Sequence, residues 1–213
     1  MKFRMIAVMV VLLACATFSY ADITGVTCHK DLDDAINCTG VYSDNPTDGD
    51  VLTMKGDQFW APGHMLGDIS TDSTSDPTLT LITDLNNDSA FDWTSYHVNI
   101  VMNQPFTILT PSVLIPPSWT AGTPVQPVFE SSWTEADNSL TLNNVWVGQL
   151  DFSGSPPIAY ATSDELEFKY KISFTGSTSY AYTQEMIPVP EPGTFVLLAC
   201  GLLGLLGIRR RFV

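Results

Sequence analysis

Alternating apolar and polar residues dominate the middle of the chain. In Leu166–Phe174 every second residue is apolar, and within Trp93–Met102 the side chains of Tyr96, Val98 and Ile100 fall on one face. A period of two is typical of strands that bury one face. The same criterion predicts further strands at 51–54, 78–82, 106–109, 113–115, 140–142, 145–152 and 180–183.

Clusters of turn-forming residues separate these segments. Stretches rich in Asp, Asn, Ser, Gly and Pro lie at 44–50, 72–77, 85–89, 121–124 and 153–157. Between the two ends of the chain, no segment shows the periodicity of an amphipathic helix. Many short strands with regular breaks predict an all-β fold, a single antiparallel β-sandwich or jelly-roll-like domain.

The N-terminal segment has a different pattern. Lys2 and Arg4 precede an apolar stretch, and Ser19-Tyr20-Ala21 forms a small-x-small site. This order predicts a signal peptide over 1–21 that is helical and is cleaved after Ala21. An alternative stays open, because Leu12-Leu13-Ala14-Cys15 loosely resembles a lipobox with Cys15 as the lipidated residue.

The C-terminal segment carries a second membrane signal. Val189, Pro190, Glu191 and Pro192 precede an uncharged apolar run at 193–208. As a helix that run is about 24 Å long, against a bilayer core of about 30 Å. It spans the core if flanking basic side chains snorkel to the headgroups. We therefore predict a short transmembrane helix, with a permanent anchor or a buried C-terminal helix as alternatives.

Basic residues near the C-terminus predict the orientation of the tail in the membrane. The membrane stop consists of Arg209, Arg210 and Arg211. Positive charges stay on the cytoplasmic side, which places the residues before Pro190 outside the cytoplasm. The chain thus divides into a signal peptide (1–21), a body (22–188) and a sorting segment (189–213).

The charge of the body limits the classes of molecule that it can bind. The full chain has 23 acidic and 9 basic residues, but without the two targeting segments the body keeps 22 acids and four bases, a net charge of −18. Nucleic acid is excluded, because phosphate contacts need basic patches. Divalent cations, or a polysaccharide bridged by them, suit such a body better. Solubility through self-repulsion explains the charge equally well.

Two cysteines remain in the exported body. Cys15 and Cys200 belong to the membrane segments, whereas Cys28 and Cys38 lie close together in the body. An oxidising compartment then favours a disulfide between Cys28 and Cys38. In the chain-entropy model this small loop contributes about 2–3 kcal/mol.

One acidic turn has the oxygen spacing of a calcium loop. Asp84, Asn86 and Asp88 alternate along it, and Asp92 falls at its ninth position. Ser89 stands where an EF-hand needs glycine, so a full EF-hand is not predicted. Calcium in a sandwich loop stays open beside the simpler interpretation of an Asx-rich turn. No other cofactor is predicted.

The sequence offers no catalytic constellation. His29, His64 and His97 form neither an H-x-H pair nor an HExxH motif, so no zinc site is predicted. A Gly-x-Ser-x-Gly elbow and a phosphate loop are absent from the sequence. The 22 acids of the body single out no carboxylate pair for glycoside cleavage. We nominate no catalytic residue and predict that the protein is not an enzyme.

Tryptophans are the remaining candidates for ligand contact. Stacking on sugar rings is one role for such side chains, although filling the core is the more common one. Trp119, between Pro116-Pro117 and Ala121-Gly122, is the best candidate for exposure. The full set is Trp60, Trp93, Trp119, Trp133 and Trp146.

The order of segments resembles the PEP-CTERM family of exported bacterial proteins. The matching features are Val189-Pro190-Glu191-Pro192, the Leu/Gly-rich run, the terminal arginines and a signal peptide at the other end. The same tail is also labelled an ice-binding-protein C-terminal motif. A looser resemblance covers Asp84–Val98, an Asn/Asp turn followed by a Trp-Thr-x-Tyr-His strand found in sandwich proteins of that family.

The resemblance implies a route for the protein. An exosortase, a membrane-embedded cysteine protease-transpeptidase, would recognise Pro190, Glu191 and Pro192 and remove the tail, so the chain is a substrate in that reaction. The implied hosts are Gram-negative bacteria that make exopolysaccharide. We expect an exported structural or interaction protein, transiently held in the inner membrane and then placed on the cell surface or in the exopolysaccharide matrix. The alternatives are an extracellular carbohydrate-active enzyme and a module that binds carbohydrate, calcium or ice.

Overall fold

The computed structural model describes residues 23–27, 29–30, 36–45, 49–59, 62–72, 78–136, 140–160, 165–174 and 176–190. The predicted signal helix and the predicted tail helix lie outside these residues. Within the described ranges, no helix is long and apolar enough to cross a membrane.

The described chain is built from strands. In chain order they are β1 Ile23–Val26, β2 His29–Lys30, β3 Ile36–Asn45, β4 Gly49–Gln58, β5 Gly63–Thr71, β6 Thr78–Asn87, β7 Trp93–Met102, β8 Phe106–Ile115, β9 Trp119–Ala121, β10 Val125–Thr134, β11 Thr141–Ile158, β12 Glu165–Phe174 and β13 Ser179–Pro190.

These strands form two sheets. The eight-stranded sheet has the order β1-β5-β13-β7-β11-β10, with β2 also pairing with β5 and β9 with β11. The five-stranded sheet has the order β3-β4-β6-β12-β8. Among the described pairings all are antiparallel except β4 with β6, which run parallel. The prediction of an all-β, sandwich-like body is therefore confirmed.

Alternation along the strands creates the core between the sheets. On β12 the side chains of Leu166, Phe168 and Tyr170 are buried, whereas Lys169 and Lys171 are exposed. On β7 the predicted inward set of Tyr96, Val98 and Ile100 is fully buried. The rings of Phe152 on β11 and Phe168 on β12 lie 4.4 Å apart and join the two sheets. Removal of these apolar side chains from water is thus the main contribution to the packing of the two sheets.

Buried hydrogen bonds fix how the sheets sit on each other. Tyr170 of β12 donates to the side-chain oxygen of Gln184 on β13 at 3.0 Å, and Gln184 donates to Thr83 of β6 at 3.3 Å. Gln58 of β4 donates to the carbonyl of Met186 at 3.1 Å. Buried polar groups are costly unless they are paired, so these bonds favour one relative placement of the sheets.

One predicted turn, at 153–157, is wrong, and another, at 85–89, is wrong in its first three residues. Residues 85–87 continue β6, since Leu85 and Asn87 keep the inward alternation and the Asn87 amide donates to the Ile158 carbonyl at 2.9 Å. Residues 153–157 lie within β11, where Ser153 and Gly154 pair with β9. Tertiary pairing overrides the local turn preference of Asn, Ser, Gly and Pro at both places.

Gly154 marks the tightest contact of β9 with β11, and its replacement is expected to disturb that contact. A Cβ at position 154 would lie 2.6 Å from the Cα of Trp119. We expect Gly154→Ala to lower the free energy of unfolding by about 1–3 kcal/mol, the usual cost of overpacking. Tryptophan emission should also shift to the red as Trp119 moves toward water.

Gly25→Ala is the matched control for this prediction. A Cβ at Gly25 in β1 meets nothing within 4 Å. Its stability should therefore stay at or slightly above that of the unchanged protein. Equal losses of stability in the two variants would show that the contact with Trp119 does not cause the loss.

Candidate functional site

The C-terminal strand of the described body lies in the interior of the eight-stranded sheet. β13 pairs with β5 along Ser179–Met186 and with β7 along Tyr182–Pro190. The hydroxyl of Thr94 donates to the Val189 carbonyl at 3.2 Å. Val189 and Pro190 are therefore held in the sheet, and the predicted boundary after Pro188 falls within a strand.

Neighbouring loops are tied together around the end of β13. Trp93 stands opposite Pro190 on one side and opposite Ile158 on the other. The backbone N–H of Tyr160 donates to the carboxylate of Asp92 at 3.0 Å. We call this end of the sandwich, formed by residues 58–59, 88–92, 158–160 and 188–190, the exit end. The chain leaves the described body here and continues toward Glu191.

The sequence that follows the exit end carries a recognisable sorting signal. A family model for the PEP-CTERM protein-sorting motif matches residues 188–211. The chain carries a PEP-CTERM sorting motif. This confirms the resemblance drawn from Val189–Pro192 and from Arg209–Arg211, of which Glu191, Pro192 and the arginines lie outside the described residues.

The PEP-CTERM motif indicates how the protein is exported and processed. It implies export through membrane-associated sorting and processing by an exosortase. The match begins at Pro188, inside β13, so the sorting motif and the folded body share three residues.

Comparison of the whole chain with known proteins adds little. No curated protein matches it. Among solved structures it is similar to a family 11 carbohydrate-binding module from Clostridium thermocellum, in complex with a β-1,3-1,4-mixed-linked tetrasaccharide. That match has 5% identity, covers 80% of this chain and 96% of the other, and has a TM-score of 0.19.

The predicted calcium residues are distributed over two places. Asp84 and Asn86 lie on the outer face of β6 and line a cleft of about 300 Å³ together with Asp57 and Glu165. Asp88 and Asp92 lie in the loop that follows, and Asp92 accepts the hydrogen bond from Tyr160 described above.

A lysine already stands beside the first of these carboxylates. Lys55 on β4 donates to Asp84 at 2.6 Å, and this contact raises the pKa of the ammonium group. Burial and the charge of Asp84 raise the pKa of neighbouring Glu167. Among the described residues, no three His, Cys, Asp or Glu side chains are grouped to hold one metal ion. Calcium at Asp84 would have to displace Lys55, and its binding stays a prediction.

The predicted processing and disulfide sites fall largely outside the described chain. Ala21 and Cys28 are not among the described residues, and only the backbone of Cys38 is, as part of β3. Signal cleavage and the Cys28–Cys38 disulfide therefore stay predictions.

Trp119, the best candidate for exposure, is buried instead. The side chain of Trp119 is 2% exposed, and its indole N–H donates to the Pro156 carbonyl at 3.0 Å. Trp93 and Trp133 are also buried, and Trp146 is half-buried. The core interpretation therefore holds for the four described tryptophans, while Trp60 lies outside the described residues.

A buried cluster of titratable side chains, which the sequence pattern does not predict, lies on the outer side of the eight-stranded sheet. His64 of β5 stands opposite Glu185 of β13, with Nε2 at 3.6 Å from the Glu185 carboxylate and 3.5 Å from that of Glu135. Asn99 of β7 donates to Glu185 at 2.7 Å, and the backbone N–H of Ala136 donates to it at 2.6 Å. The Glu135–Ala136 segment, which follows β10, thereby closes over β13.

The carboxylate of Glu185 is kept charged by its partners. Burial by itself raises the pKa of Glu185, but the contact with His64 and the hydrogen bonds from Ala136 and Asn99 together hold it below its ordinary value. This cluster could not be predicted from the sequence, because its members are far apart along the chain and the strand register brings them together.

Proposed function

We propose that the body is a non-enzymatic structural or interaction protein, delivered to the cell surface or into the exopolysaccharide matrix. One observation carries the proposal: a PEP-CTERM sorting motif begins within the last strand of a folded two-sheet body. A processing enzyme that removes the tail would release the body as a finished unit.

The charge of the body suits such a place. A net charge of −18 keeps the molecule soluble and self-repelling, and it favours polymers that are bridged by divalent cations. Its charged residues also line the outer face of the five-stranded sheet, where Lys55 contacts Asp84 and where Lys169 and Lys171 follow on β12. We infer that weak contacts with an acidic or neutral polymer, rather than turnover of it, are the role of this surface.

The test is the intact mass of the protein in membranes and in the culture medium of its host. We expect a form that begins at Asp22 and ends near Pro190 in the medium or matrix. Glu191→Gln should leave the chain in the membrane with Arg209–Arg211 still attached, because the change removes the charge of the motif and keeps the side-chain size.

Asp88→Asn serves as the control for this experiment. It removes one negative charge from an exposed residue of the same end of the body without touching the motif. Its release should match that of the unchanged protein. If the unchanged protein itself keeps its arginines in the membrane, the tail is a permanent anchor and the proposal fails.

A further inference from the structure

Very little chain separates the exit end from the predicted membrane helix. The described body ends at Pro190, and the apolar run from Phe195 to Ile208 begins after four intervening residues. Four residues span at most about 14 Å when fully extended. As long as the tail anchors the chain, which rests on the proposed function, the exit end must therefore lie close to the membrane surface.

Two exposed aromatic side chains lie at this end, whereas other exposed apolar side chains, such as Val128 and Phe129, lie on the edge strand β10. Tyr160 is 51% exposed, and Phe59 is 38% exposed. Phe59 follows Gln58, whose carbonyl accepts the backbone N–H of Asp88 at 3.1 Å, so both aromatic residues belong to loops around the end of β13.

A second exposed apolar pair lies at the end of β8, on the same side of the sandwich. Leu114 and Ile115 are 37% and 40% exposed, and Ile115 stands opposite Glu167, two residues from the start of β12 at Glu165. That start pairs with Asn86, next to the exit end. The opposite end of β13 is polar, with Ser177, Thr178 and Ser179 in sequence.

The chemistry of this end fits a lipid interface. Aromatic side chains with one polar edge are enriched at the headgroup level of membranes, and the apolar bodies of such residues gain from leaving water. Charge attraction does not supply the contact, since the body carries −18 and an anionic surface repels it. The short tether keeps this end of the body within reach of the membrane surface.

We propose that, in the anchored intermediate, the exit end rests on the lipid headgroup region, with Tyr160 and Phe59 in contact with lipid. The sandwich then stands on the membrane, and the start of β13 at Ser179 lies farthest from it. The 12 residues of β13 place Ser179 about 36 Å away from Pro190.

Site-specific photocrosslinking tests this arrangement. The tail-bearing chain carries p-benzoylphenylalanine in place of Tyr160 or, as the matched control, in place of exposed Ser179. Each protein is reconstituted into vesicles of phosphatidylethanolamine and phosphatidylglycerol, and flotation with the vesicles verifies that the tail is inserted. After irradiation, intact mass reports the lipid adducts. We expect lipid adducts at position 160 and none above background at position 179.

Each other result has a defined meaning. Floating protein with equal adducts at the two positions, or with none at 160, overturns the contact but leaves the anchor intact. Protein that does not float removes the anchor, and with it both the proposed function and this inference. In host membranes, an adduct of position 160 with a protein in place of lipid would overturn the lipid contact and assign this end to the processing enzyme.

Discussion

Phe168→Ala is expected to lower the free energy of unfolding by about 3–5 kcal/mol, the range for removing a large buried aromatic side chain. Phe168 is fully buried on β12, and its ring lies 4.4 Å from Phe152 and 6.3 Å from Tyr96, both of which belong to the opposite sheet. The cavity would therefore open at the junction of the two sheets. Urea denaturation followed by circular dichroism measures the change.

The same substitution at an exposed site is the control. Phe129 on β10 is 54% exposed and makes an edge contact with Trp146 at 5.8 Å. Loss of that contact should cost about 1 kcal/mol. If Phe168→Ala costs no more than Phe129→Ala, the two sheets are not held together by the core that contains Phe168.

Glu185→Gln is expected to lower the free energy of unfolding by about 3 kcal/mol at neutral pH, because it leaves the buried donors of the carboxylate without their acceptor. The new amide would also present a donor to Ala136 or Asn99, both of which donate to Glu185. Glu130→Gln, at a half-buried position of β10, should change stability by less than about 0.5 kcal/mol.

The pH dependence of this difference follows from the lowered pKa of Glu185. A carboxyl whose folded pKa lies below its ordinary value of 4.5 stabilises the protein above that pH, and the contribution disappears as pH falls through the folded pKa. The difference in free energy of unfolding between the unchanged protein and Glu185→Gln should thus be constant above about pH 5.5 and become smaller on further acidification. A gap that widens in acid would contradict the charged state assigned to Glu185.

Strands with one buried face were predictable from the sequence. The predicted bounds of Trp93–Met102 match β7, and Leu166–Phe174 matches β12 to within one residue. In each, a strict alternation of large apolar and polar side chains reflects one face in the core and one in solvent.

Strands that depart from this pattern were missed. β5 contains Gly63 and Gly67, and its outward-facing His64 is buried. Its sequence therefore lacks a regular alternation of apolar and polar residues. β10 includes Pro127 and leaves Val128 and Phe129 largely exposed, which removes the alternation. Their positions follow from neighbouring strands, which single-strand patterns do not contain.

The candidate sites also differ in whether the sequence alone predicts them. The sorting motif was predictable, because composition and order along the chain define it and no tertiary contact is needed. The cluster around Glu185 and the burial of Trp119 were not, because both depend on which strands become neighbours. Pro116-Pro117 suggested an exposed turn for Trp119, but Gly154 across the sheet gives its ring room to pack.

The central position of β13 has a consequence for the order of folding during export. β13 is the last described strand to leave the secretion channel, yet it fills the gap between β5 and β7. Until it arrives, both of those strands have open edges, and open edges are where chains pair wrongly and aggregate. A tail that halts in the bilayer just behind β13 would hold the chain at the membrane during this interval, so that β13 can pair with β5 and β7 before the body is released.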